Sequence, residues 1–169
     1  MANINFPRGF IPIGGCNSVR EYNISSANPQ IGENDLVERR ADGFVYPAQA
    51  TTITPIGVAA ESKAANSGGK LKVYDSPDIL LEAQADDANI AAQTDFDLNY
   101  DIIASAPNAI TGRSTMQIDA STKAATATLP IKVLRIREIV TKERNALGAN
   151  VAVECIINNH LHKSTGVIG

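Results

Sequence analysis

His160-Leu161-His162 is the one place in this chain where two imidazoles stand two residues apart. On one face of a strand such a pair could hold a metal ion. A metal site needs a third ligand at comparable spacing, and none lies near. The pair falls close to the C-terminal end and is expected in a polar tail. Asp95-x-Asp97-x-Asn99 opens like a calcium loop. That loop requires Gly at its sixth place and Glu at its twelfth, where this chain has Tyr100 and Ala106. Ser67-Gly68-Gly69-Lys70 lacks the full phosphate-loop spacing and leads into a strand pattern. Cys155 alternates with Val151, Val153 and Ile157, so it reads as a small buried hydrophobe on a strand. Ile13-Gly14-Gly15-Cys16 has the outline of a lipid-attachment box, but Pro7, Arg8 and Pro12 interrupt the apolar run that should precede it. With two His and no activatable Cys, no nucleophile has a visible base. No catalytic residue, no metal and no cofactor is expected.

Composition excludes further classes. The net charge is −3, and basic residues interleaved with aromatics are absent, which argues against a nucleic-acid platform. No apolar run approaches the roughly 18 residues that would span a membrane. The 169 residues suit one domain with an arm or insertion, and need no disulfide or metal staple.

The elements that must position any site have period two. Leu36 to Arg40 and Phe44 to Ala48 flank Asp42-Gly43, a hairpin signal. Ile53 to Ala60 follows, and Pro55 predicts an edge position for it. Lys70 to Tyr74 turns Leu71 and Val73 inward, and Ile79 to Ala85 follows a Ser76-Pro77-Asp78 turn. Residues 86–93, rich in Ala, could hold a single helical turn. Phe96, Leu98, Tyr100 and Ile102 alternate with polar residues, and Met116 and Ile118 form a short strand before a turn at Ala120 to Lys123. Between Leu129 and Ile139 the apolar phase shifts, which predicts either a β-bulge or a strand buried first on one side and then on the other. Val151 to Asn158 is the last strand. These nine short strands predict an all-β chain, a single β-barrel or jelly-roll-like sandwich.

Residues 1–33 differ from residues 34–169. They carry Pro7, Pro12 and Pro29 and show no strand-length alternation, yet they hold Ile4, Phe6, Phe10, Ile11 and Ile13. This predicts an extended N-terminal arm docked on its own body or on a neighbour. Charge is segregated too. No Lys or Arg occurs between Val73 and Gly112, where eight acids stand, whereas residues 113–144 hold seven bases and three acids. Such faces could pair between copies.

One set of landmarks resembles a known family. Asn5-Phe6-Pro7-Arg8-Gly9-Phe10 is similar to the opening of a group of tailed-bacteriophage virion proteins. Val73 through Gln84, Ser114 through Thr122, Leu129 through Leu134 and Asn150 through His160 resemble later segments of that group, in order and over nearly the whole chain. The resemblance departs at 49–69, which is shorter, and at Asp95 to Asp101, which is more acidic. It implies a capsid decoration, or cement, protein that sits on the outer surface of the icosahedral head and clamps adjacent major capsid protein subunits. The implied partners are the major capsid protein and further copies of the chain, with a homotrimer favoured over a homodimer; neither nucleic acid nor membrane is implied. On that reading Phe6, Phe10 and Ile11 are arm anchors, and Arg8 makes a charge-assisted contact to a carboxylate. A head-fibre base or glycan-adhesion module is the alternative.

Overall fold

A computed structural model describes residues 3–87, 89–138 and 145–163. Eleven strands and one 3₁₀ turn are present among them. The strands are β1 (Ile11–Gly14), β2 (Val19–Ile24), β3 (Leu36–Arg39), β4 (Val45–Pro47), β5 (Pro55–Ala59), β6 (Gly69–Tyr74), β7 (Leu80–Gln84), β8 (Asn99–Ile103), β9 (Gln117–Ala124), β10 (Ile131–Ile136) and β11 (Ala152–Ile157). They form two antiparallel sheets, ordered β1-β7-β11-β10-β8-β9 and β2-β6-β5-β3-β4. The larger sheet curls until Ala85, just past β7, makes a single parallel bridge to Ile118 of β9. The roll stops at that bridge, so the molecule is an all-β sandwich and not a closed barrel.

Alternation explains the packing. One face of β7, β8, β10 and β11 sends Leu81, Ala83, Tyr100, Ile102, Ile131, Val133, Val153 and Cys155 into a first core. Leu36 and Val58 reach that core from the smaller sheet. The opposite face of the smaller sheet builds a second core from Val37, Ile56, Leu71 and Val73, with Ile24, Ile31 and Val45 around them. β5 therefore faces apolar surroundings on both sides, and all five of its residues are buried.

Several expectations need correction. β5 is a central strand, not an edge; Pro55 is tolerated because it is the first residue, opposite a register shift in β3. The helical turn falls at Gln93–Asp95, with its carboxylate accepting the Ala91 and Ala92 N–H groups. The turn at Ala120 to Lys123 is instead the continuation of β9: the Thr122 hydroxyl accepts the Asp101 N–H across a bulge. The β10 bulge lies between Val133 and Arg135, while Ile139 lies outside the described residues.

The largest correction concerns residues 1–33. Residues 3–33 contain two strands, β1 on the edge of the larger sheet beside β7 and β2 on the edge of the smaller one beside β6. Backbone hydrogen bonds to already ordered strands offset the entropy of fixing this Pro- and Gly-rich stretch.

Candidate interaction surface

Residues 3–8 run against the outer face of β7, fastened by polar side chains. Asn3 Nδ2 donates to the Ala146 and Ala149 carbonyls at 2.7 and 2.8 Å, and its Oδ1 accepts the Ala146 N–H at 3.0 Å. Gln84, pointing outward between buried Ala83 and Ala85, uses both ends of its amide. Its Nε2 donates to the Ile4 carbonyl at 2.8 Å and its Oε1 accepts the Phe6 N–H at 3.0 Å. The backbone is thus satisfied while the apolar side chains project away. Ile4 is 61% exposed and Phe6 63%, and Leu147 stands exposed in the loop that Asn3 grips.

Beyond Phe6 the run meets a ladder of charges across three strands. Register places Glu154 of β11 opposite Glu82 of β7, and Arg135 of β10 opposite Glu154. Two carboxylates facing each other across a strand pair repel. Arg137 spans them, donating Nε to Glu82 at 3.1 Å and Nη1 to Glu154 at 2.9 Å. Arg135 closes one end on Glu154 at 2.7 Å, and Arg8 the other on Glu82 at 2.9 Å. Burial pushes the Glu154 carboxyl up, but the hydrogen bonds and charges of Arg135 and Arg137 outweigh it and hold the group below its ordinary value. The Glu154 hydrogen bond, with both carboxylate charges, raises Arg137. The inner members are shielded, whereas the Arg8 and Arg135 side chains at the two ends stay open to solvent.

After Arg8 the chain turns inward. Gly9 has φ +73°, and a Cβ there would overlap the Asn34 carbonyl and the Ser114 side chain. Phe10 then donates its N–H to the Asn34 carbonyl at 2.9 Å and buries its ring completely in the first core. Beside that entry Asp35 is buried, its Oδ2 accepting the Gly32 N–H at 2.6 Å. Burial pushes this carboxyl up to about 6, against the bonds from Ser114 and Gly32.

The four predicted partner-binding residues therefore separate. Phe6 is outward. Arg8 has its carboxylate, and that carboxylate is Glu82 of the same chain. Ile11 lies half-buried on β1 opposite Glu82 and shares its face. Phe10 cannot be an arm anchor for a partner, because the turn at Gly9 commits it to the interior. The segregated charges also pair within the chain: Arg137 with Glu82, and Lys123 with Asp95 at 2.8 Å. Arg144 and Lys142, two of the bases in that stretch, lie outside the described residues. Sequence reasoning missed Gln84, Glu154 and Arg137. The signal available was the outward place of Gln84, Glu82 and Glu154 in the strand alternation, each a polar residue among apolar ones.

The histidines are not in a loose tail. His160 is 3% exposed. Leu161 packs against the second core, and His162 stands over Tyr22 with ring centroids 6.5 Å apart. Among the described residues no group of three His, Cys, Asp or Glu side chains is placed to hold a metal ion. Cys155 is buried and Cys16 is exposed, both as free thiols. Compared with known proteins, the chain matches no family model and no curated sequence.

Proposed function

We propose that this chain is a structural virion protein of a tailed bacteriophage, a decoration or cement protein that binds the outside of the head and clamps adjacent major capsid subunits. The observation that carries this reading is the pinned N-terminal run. An exposed Phe and an exposed Ile are held outward on an ordered backbone, so little entropy is lost when a partner covers them. Phe6 belongs to the segment Asn5 to Phe10, on which the family resemblance begins, and Ile4 directly precedes it. The exposed guanidiniums of Arg8 and Arg135 flank the same surface and suit carboxylates at the rim of an interface. Several copies in a closed oligomer, a trimer at a three-fold shell position, would let modest individual contacts add up through avidity.

The reading is tested by adding purified protein to heads that lack it. Bound protein should saturate at a fixed number per shell, and the decorated heads should withstand higher temperature. Binding that never saturates, with no gain in heat resistance, would sink the proposal. Removing residues 2–13 is a poor test, since it also deletes Phe10 and three of the four residues of β1. Ile4→Ser with Phe6→Ala leaves the fold intact and should weaken head binding at least tenfold, as expected for an aromatic anchor (about 2 kcal/mol).

A further inference from the structure

After β11 the chain leaves the larger sheet and crosses to the smaller one. The Asn158 N–H bonds the Pro130 carbonyl at 2.7 Å, and the Asn158 and Asn159 side chains bond the Ala127 carbonyl. Leu161 donates its N–H to the Pro55 carbonyl at 2.9 Å and covers the second core. Residues 158–163 are thus a strap joining the two sheets, and His160 sits beneath it.

We propose that this strap is an acid-released latch with His160 as its trigger. The geometry of the ring carries the argument. Its Nδ1 accepts the His162 backbone N–H at 3.0 Å, so the proton of the neutral imidazole is on Nε2. That Nε2 is buried with no acceptor in good hydrogen-bond geometry, although the Ile56 backbone lies near enough to favour the charged ring. A second proton must go to Nδ1, where it would face the His162 N–H donor. The turn from His160 to His162 cannot close on two opposed donors, and the cost of burying an imidazolium there exceeds what Asp75 and the Ile56 backbone return.

The surroundings offer little counter-charge. Asp75, just past the end of β6, is the carboxylate whose charge acts on the ring. Its Oδ2 already accepts the Tyr22 hydroxyl of β2 at 2.6 Å and lies 3.5 Å from the Arg20 guanidinium. His162 Nδ1 is 3.9 Å from the same oxygen, and Lys163 adds a further positive charge on the strap. Burial, then the proximity of His162, lowers His160 to about 4, with Asp75 and the Ile56 backbone acting the other way. A group lowered by folding stabilises the closed form fully above the free value near 6.5, and that stabilisation is lost as pH falls toward 4. Asp75 itself is held below its ordinary value despite burial, by the Ser18, Tyr22 and Arg20 contacts. It stays ionised across this window.

Hydrogen exchange of the Leu161 amide in the full chain, corrected for intrinsic rate, reads the latch directly. Opening should rise roughly tenfold per pH unit between pH 6.5 and about 4, while amides in the β7–β11 pair stay protected. His160→Asn keeps an acceptor oxygen for the His162 N–H and does not titrate, so its opening should be independent of pH. His162→Gln should retain the wild-type slope. A flat wild-type profile, or a slope that survives His160→Asn, would overturn the proposal. If that variant does not fold, the wild-type chain still decides. A His160 ring that titrates at 6.5 or above while Leu161 stays protected refutes the latch.

Discussion

The two ends of the described chain are built alike and do opposite things. Each is a short irregular run laid across a sheet and fastened by side-chain amides: Asn3 and Gln84 at one end, Asn158 and Asn159 at the other. The N-terminal run turns its apolar side chains outward and its charges onto a ladder. The C-terminal run turns Leu161 inward and buries an imidazole. The difference lies in where the backbone is satisfied. Gln84 meets the N-terminal backbone from outside the sheet, so no side chain must be buried to order it. The strap reaches the Pro55 carbonyl only by placing Leu161 over the second core.

The comparison extends to protons. At the root of the N-terminal run Asp35 is raised to about 6, so its contribution is greatest below 3.8 and is lost as pH rises through 6. At the strap His160 is lowered, so its contribution is greatest above 6.5 and is lost as pH falls toward 4. Raising the pH strains one end and lowering it strains the other.

Substitutions should separate the two ends in graded steps. Phe10→Ala should show the largest effect, a loss of about 3–5 kcal/mol in urea unfolding, because it empties a filled site in the first core. A value near zero would mean that Phe10 is not committed to the interior. Asp35→Asn keeps an acceptor for the Gly32 N–H and removes the buried charge. It should gain about 2 kcal/mol at pH 7, and the gain should disappear at pH 4. Unfolding curves at the two pH values check the sign, and a loss at pH 7 would contradict it. Arg137→Met leaves Glu82 and Glu154 facing each other without their bridge. The expected loss is about 1–2 kcal/mol, reduced because the Arg137 side chain is 33% exposed. Phe6→Ala should change stability least, by no more than about 0.5 kcal/mol, while weakening head attachment if the proposed function holds.

Much of the fold was legible in the sequence because burial writes itself as alternation. All nine strands expected from periodicity are present, including the bulge in β10. The two that were missed, β1 and β2, lack that signature for physical reasons. β1 is four half-buried residues with Pro12 and Gly14 in it, and β2 is mostly exposed until Ile24. Both are defined by hydrogen bonds to β7 and β6, which no local pattern records. The candidate surface was legible in Phe6 and in the need of Arg8 for a carboxylate. The identity of that carboxylate depended on register between distant strands. Phe10 was misread because its apolar character is the same whether it anchors a partner or a core, and only the left-handed turn at Gly9 decides between them. The histidines were misread for the converse reason. Their polar sequence neighbours gave no hint that Asp75 and Tyr22, far away in the chain, would roof them.

The turn at Gly9 also has a mechanical consequence. Phe6 is the outermost aromatic of the N-terminal run and Phe10 the innermost, yet only three residues separate them. A tensile load applied at Phe6 first meets the Gln84 and Arg8 fastenings. It then bears on Phe10 and on the first residues of β1, which hydrogen-bond along β7. Detachment under load is resisted in series by polar contacts that can re-form and by a ring that must be drawn from the core. The exposed run and the body of the molecule therefore share one short covalent load path.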